Sequence, residues 1–196
     1  NQTNVLLAST KMLKKKKLRH FLINFREELA LKYGTSCINE KKLFKFLNSI
    51  NKNFDINHVG LYYPINSEIS PLKLIDICSK LNLTPCLPII NKNSRILNFV
   101  EWNTNKKLYP SLFNTMQPKN ISKFVFPEII FVPLLGFDIN LNRLGYGKGY
   151  YDETIMKMRS KNNKFFLAVG IAYDKQEVQS VPKESHDQLL DYVITE

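Results

Sequence analysis

Over residues 128–135 the chain reads EIIFVPLL, with no polar side chain after the first. A strand that keeps one face in water alternates polar and apolar positions. This run does not alternate, so both of its faces must be covered. Continuous burial of that kind marks a central strand of a mostly parallel sheet, and parallel neighbours need crossovers long enough to carry helices. The run therefore predicts layers above and below the sheet.

The flanking segments agree. Leu18, Phe21, Leu22, Phe25 and Leu29 recur at helical spacing, and at about 100° per residue they form one apolar stripe. On the same wheel Lys15, Arg19 and Arg26 fall along one flank of that stripe, which puts three cations at the edge of the core. Lys11 and Lys14 would fall inside the stripe, so the helix is predicted to begin near Lys14 or Lys15, leaving about residues 1–13 as a flexible basic tail. A second helix is predicted over 39–50, and a fourth over 151–158. Between them Ser70-Pro71 opens a third, with serine at the cap and proline in the first turn. Strands are expected over 57–63, 84–90, 95–102, 165–173 and 191–195. Residues 108–116 read as a partly irregular connection ending at Pro118. This alternation predicts an α/β fold: one domain over residues 1–196, a mostly parallel open sheet with helices on both faces, Rossmann-like and three-layered.

Composition narrows the function. A hydrophobic share of 44% and a charged share of 23% in 196 residues exclude disordered and fibrous classes. No apolar run reaches the eighteen or so residues of a membrane span, and the start of the chain lacks a long apolar stretch with a cleavage site. Cys37, Cys78 and Cys86 show no C-x-x-C spacing and read as buried thiols of a reducing compartment, so a cytoplasmic protein is expected. His20, His58 and His186 are scattered without a zinc-binding pattern. Of the net charge of +11, seven units come from Lys11, Lys14, Lys15, Lys16, Lys17, Arg19 and Arg26, which all precede the first acidic residue, Glu27. The excess is local and points to an anionic ligand near the first helix.

The segment RLGYGKGYYD, Arg143 to Asp152, follows the apolar strand closely. Four of the seven glycines, Gly136, Gly145, Gly147 and Gly149, lie in this neighbourhood. Glycine admits left-handed backbone and close ligand approach, so successive N–H groups can turn inward as an anion nest. The helix that follows adds unpaired N–H donors and a positive dipole end. Arg143 offers a planar fork and Lys148 a mobile point charge, while Asp152 sits where a magnesium ion on a polyphosphate would want a carboxylate. Neither the Walker pattern nor G-x-G-x-x-G is met, because Lys148 precedes Gly149 and the glycines read G-x-G-x-G. Residues 57–63 deliver the loop Tyr63-Pro64-Ile65-Asn66-Ser67-Glu68 to a strand's C-terminal end, where open α/β sheets bind ligands.

FVPLLGFD (Phe131 to Asp138) followed by RLGYGKGYYD closely resembles the signature of the 5-formyltetrahydrofolate cyclo-ligase family. The likeness extends to Lys15-Lys16-Lys17-Leu18-Arg19, to the loop ending in Glu68, and to His186-Asp187. The resemblance implies an ATP- and Mg2+-dependent ligase that closes 5-formyltetrahydrofolate to 5,10-methenyltetrahydrofolate, with no stable nucleic-acid or membrane partner, acting as a monomer. It further implies ATP contacts from Lys15, Lys16, Lys17, Leu18 and Arg19 and from Arg143, Leu144, Gly145, Tyr146, Gly147, Lys148, Gly149, Tyr150 and Tyr151. Lys148 and Arg143 would be the catalytic charges. Arg19, Tyr63, Glu68, Tyr146, Gly147, Lys148, Gly149 and Tyr150 would meet the folate, and Asp152 and Asp187 the metal. A carboxylate at Glu68 suits the amino and ring N–H edge of a pterin, which offers two parallel donors. The chain departs from the family pattern at Leu134 and Leu141, where glycine is usual, and at Gln117, a place often held by glutamate. Two other readings stay open: a non-catalytic nucleotide- or RNA-binding protein using the basic N-terminal arm, and a phosphosugar or acyl-transfer enzyme on the same fold.

Overall fold

The computed structural model describes residues 2–119, 123–161 and 164–196, with side chains from Met12 onward. Helices α1 (Gln2–Tyr33) and α2 (Glu40–Asn53) precede the short strand β1 (His58–Gly60); α3 (Leu74–Lys80) leads into β2 (Thr84–Ile89), and β3 (Asn98–Glu101) returns beside it. A small hairpin, β4 (Leu108–Pro110) and β5 (Met116–Pro118), comes before β6 (Ile129–Val132). A second hairpin, β7 (Gly136–Phe137) and β8 (Arg143–Leu144), then hands the chain to α4 (Tyr150–Arg159), β9 (Leu167–Ala172) and β10 (Tyr192–Thr195). Six strands form one sheet in the order β10-β9-β6-β1-β2-β3. All its pairings are parallel except the edge pair β2–β3.

The apolar run behaves as its composition requires. All four β6 residues are buried, and they alternate between faces: Ile129 and Phe131 join a core with Leu43 and Leu47 of α2 and Leu74 and Ile77 of α3, whereas Ile130 and Val132 pack with Ile155 and Met158 of α4. The expected α/β class with both faces of the sheet covered is the observed one. Burying side chains such as Leu47 and Phe131 completely contributes roughly 1.5–3 kcal/mol each. Asn39 starts α2 by accepting from Lys42 N at 3.0 Å, and Glu40 lies in the first turn.

β1 pairs with β2 on one side and with β6 on the other, so the connections leaving these central strands diverge. That divergence opens a crevice beyond their C-terminal ends. The loop after β1 and the segment after β6 form its walls.

Three expectations need correction. Helix α1 begins at Gln2, not near Lys14, so residues 2–13 of the segment expected as a flexible tail are helical, residue 1 lying outside the described residues. Nothing between Gln2 and Leu13 breaks a helix, since the stretch holds no glycine or proline and includes good helix formers. The packing stripe does end where expected, because Met12 and Leu13 are exposed. Ser70-Pro71 opens a turn, not α3 itself: Leu74 N and Ile75 N bond to the carbonyls of Pro71 and Leu72, the tighter three-residue spacing, before regular helix begins. Finally, the irregular connection is a hairpin in which Leu108 pairs with Pro118.

Candidate active site

The crevice is a cleft of about 570 Å³. It is lined from α1 by Lys15 and Arg19, from the loop after β1 by Tyr63 and Glu68, and from Arg143 through Glu153 by the glycine segment and the start of α4; Asp187 closes it. The structure thus gathers Lys15, Arg19, Tyr63, Glu68, Arg143, Leu144, Gly145, Tyr146, Gly147, Lys148, Gly149, Tyr150, Tyr151, Asp152 and Asp187, which the sequence had singled out across 172 positions between Lys15 and Asp187. Lys16, Lys17 and Leu18 are not brought to it. Residues 15 and 19 are one turn apart and share a face. The intervening Lys16 and Lys17 point to solvent, while Leu18 packs beside Leu22 and Leu135.

The flank of α1 holds its cations at the core's edge. Lys15 is 3% exposed, and its Nζ reaches Glu184 Oε2 and Asp187 Oδ2, both at 2.6 Å. Arg19 Nε donates to the Gly145 carbonyl at 2.9 Å. Arg26, about two turns further along, is buried behind the cleft wall.

The glycine loop owes its path to left-handed backbone. Gly147 has φ +87°, and a Cβ there would lie 3.0 Å from the Arg19 guanidinium, so any other residue would be strained and would also displace the arginine. Gly149 at φ +77° is the residue from which α4 starts, and no side chain caps that end. First-turn N–H groups are thereby left without intrahelical partners at the cleft wall. Arg143 Nη2 pairs with Asp152 Oδ2 at 3.0 Å, and Nη1 donates to the Pro133 carbonyl at 3.3 Å. Its fork therefore braces the loop against α4. Lys148 is exposed and lies 5.5 Å from the Phe113 ring centre; it has no carboxylate partner among the described residues.

Glu68 is 4% exposed, and Oε2 accepts from Ile65 N at 2.9 Å. Burial pushes its carboxyl up to about 7, opposed by the Ile65 hydrogen bond and by Arg26, whose Nη1 stands 3.9 Å from Oε1. Burial also raises the Tyr62 and Tyr151 hydroxyls, and the Glu68 charge raises them further.

For a divalent cation, the carboxylates of Glu184 and Asp187 and a ring nitrogen of His186 lie within 4.8 Å of one another. Asp152 stands beside them, because its Oδ1 accepts from Gln188 N at 3.1 Å. Hard oxygen donors of this kind fit magnesium, which prefers carboxylates supplemented by water and phosphate oxygens. Glu184, three residues before Asp187, gave no sequence signal of its own. Phe113 and Arg95, also on the cleft, gave no sequence signal.

Several other residues lie off the cleft. Asp138 is 2% exposed and accepts from Asn140 N, Asn142 N and Val181 N; it caps a turn. Trp102 is buried, its backbone N bonds Pro85 at the start of β2, and it lies off the cleft. Cys78 and Cys86 are buried thiols, whereas Cys37 is only partly covered. Gln117 is off the cleft as well: Oε1 accepts from Ile90 N at 3.0 Å and from Ser111 Oγ at 2.6 Å, tying the β4–β5 hairpin to the end of β2. A glutamate oxygen would accept the same bonds, so the substitution preserves this role. Leu134 is buried against Gly170. Leu141 does occupy a glycine-type position, with φ +62°, a conformation that costs a side-chain-bearing residue about 1–2 kcal/mol.

Fold and site together define an α/β protein with a glycine-rich loop and a buried carboxylate facing one cleft at the switch point of a mostly parallel sheet. The sequence model of the 5-formyltetrahydrofolate cyclo-ligase family matches residues 11–196, and the chain belongs to that family. A relative from Haemophilus influenzae named 5-formyltetrahydrofolate cyclo-ligase is 33% identical over 135 residues, covering 66% of this chain and 71% of its own. One from Mycoplasma genitalium with the same name is 29% identical over 184 residues, covering 93% and 98%. The solved structure of Aquifex aeolicus 5,10-methenyltetrahydrofolate synthetase aligns with a TM-score of 0.69 at 28% identity, covering 92% of this chain and 89% of that one. The chain is accordingly a ligase.

Proposed function

We propose that this protein closes 5-formyltetrahydrofolate to 5,10-methenyltetrahydrofolate at the expense of ATP, releasing ADP and phosphate. In the proposed sequence the formyl oxygen takes the γ-phosphoryl group, N10 attacks the activated formyl carbon and loses its proton, and phosphate departs. Chemistry of this type asks the protein mainly for positioning, charge neutralisation and exclusion of water.

One observation carries the reading: a single cleft presents Glu68 and Tyr63 together with the Arg143–Asp152 segment. Lys15, Arg19 and the loop N–H groups would receive the nucleotide phosphates. Lys148, free of carboxylate partners among the described residues, supplies the mobile charge that follows the transferred group. Arg143 acts through its brace on Asp152. Glu68 as carboxylate would accept from the pterin's N–H edge, with Tyr63 and Phe113 offering apolar faces. Asp152, Asp187 and Glu184 would hold Mg2+, which when bound neutralises phosphate charge.

The test is the absorbance of the methenyl product after mixing the protein with Mg-ATP and 5-formyltetrahydrofolate. Wild type should develop the band, and Lys148→Ala and Asp152→Ala should lose about a hundredfold or more in rate, the order expected when a charge acting on the transition state is removed. A wild-type protein that binds both ligands without forming the chromophore would refute the reading.

A further inference from the structure

Arg26 has no part in the chemistry just described, yet it is one of the largest fully buried side chains among the described residues, at 1% exposure. Its three nitrogens go to three different segments. Nε donates to Ser67 Oγ at 3.1 Å, in the loop after β1; Nη1 donates to the Leu134 carbonyl at 2.9 Å, just past β6; and Nη2 donates to the Tyr146 hydroxyl in the glycine loop. The guanidinium also stands 5.4 Å from the centre of the Tyr146 ring. Ser67 itself does not line the cleft, but its neighbours Asn66 and Glu68 do, and so does Tyr146.

A guanidinium is rigid and planar, so its donors cannot be re-aimed one at a time. Shifting Ser67 tilts the plane and moves the hydrogen placed on Tyr146. Leu134, just past the central strand β6, holds the third donor. Serving only to neutralise Glu68 would call for a paired carboxylate at hydrogen-bond distance. The closest approach to Glu68 is instead 3.9 Å, and the best bonds go to neutral partners on opposite walls.

We propose that Arg26 is a positioning residue that couples the two walls of the cleft, holding the Ser67–Glu68 loop and Tyr146 in one register so that a ligand on either wall favours the geometry the other wall needs. Naming those ligands as a reduced folate and a nucleoside triphosphate rests on the function proposed above. Such coupling is reciprocal: each ligand must tighten the other by the same factor.

Calorimetric titration tests this with the magnesium complex of β,γ-imido-ATP, which cannot transfer its γ-phosphoryl group and stands for Mg-ATP in these titrations, and with 5-formyltetrahydrofolate, singly and together, on wild type, Ser67→Ala, Tyr146→Phe, the double variant and Arg26→Lys. Wild type should bind the folate at least threefold more tightly once Mg-ATP is present, and Arg26→Lys should not. Ser67→Ala lies off the cleft, yet it should weaken Mg-ATP at least threefold, and should do so only while Tyr146 keeps its hydroxyl. An unchanged Mg-ATP affinity in Ser67→Ala, or effects that simply add in the double variant, would overturn the coupling. Should Arg26→Lys fail to fold, the Ser67–Tyr146 cycle decides, since it leaves Arg26 in place. Wild type that binds Mg-ATP but no folate would remove the proposed reaction, while the nucleotide arm would still rule on Arg26.

Discussion

Glu68 concentrates the titration behaviour of the cleft. Arg26, Tyr62 and Tyr151 face it, and burial dominates, so the folded protein holds this proton to about pH 7 while the unfolded chain releases it near 4.5. If the carboxylate accepts from the pterin, kcat/KM for the folate should rise as pH climbs through about 7, and Glu68→Gln should flatten that limb. The linked stability runs the opposite way. This group's contribution is complete below about pH 4.5 and is lost as pH rises to about 7, by up to about 3 kcal/mol. Unfolding free energies of wild type and Glu68→Gln compared at pH 5 and pH 8 check the sign; equal differences at both values would contradict it.

At the level of elements, the β4–β5 hairpin matters because it brings Phe113 to the cleft. Its anchor is the Gln117 side chain, which satisfies both Ile90 N and Ser111 Oγ. Gln117→Ala should cost about 1–2 kcal/mol for the two lost bonds and raise KM for the folate, whereas Gln117→Glu should keep KM within about twofold; thermal unfolding and steady-state kinetics read the two effects. Elements built from local pattern were legible in the sequence. The buried β6 follows from an unbroken apolar run, and the placement of Lys15, Arg19 and Arg26 on one flank follows from helical geometry alone. The glycine loop was legible because its parts are contiguous. What escaped was set by tertiary pairing. Arg95, Phe113 and Glu184 reach the cleft from separate segments with no periodicity of their own. The start of α1 was misplaced because intrinsic propensity carries a helix beyond the last residue that packs.

For the molecule as a whole, the cleft draws on α1, the ends of β1, β2 and β6, the β4–β5 hairpin and the segment before β10. A ligand filling it would bind only the folded chain, so at a hundred times its Kd it should add about 2.7 kcal/mol of stability. For a protein of this length that is a rise of about 5–10 °C in Tm, readable by scanning calorimetry with Mg-ATP and the folate. A shift confined to one ligand would show which wall carries the affinity.

The ion pairs of Lys15 span 169 and 172 residues of sequence. A nascent chain has therefore produced this lysine long before either of its counter-charges leaves the ribosome. Until Glu184 and Asp187 arrive, α1 cannot settle against the sheet without hiding an uncompensated cation, and contacts of such long range form late. Synthesis order thus sets the timing: the cleft takes its final shape only after Asp187 has emerged.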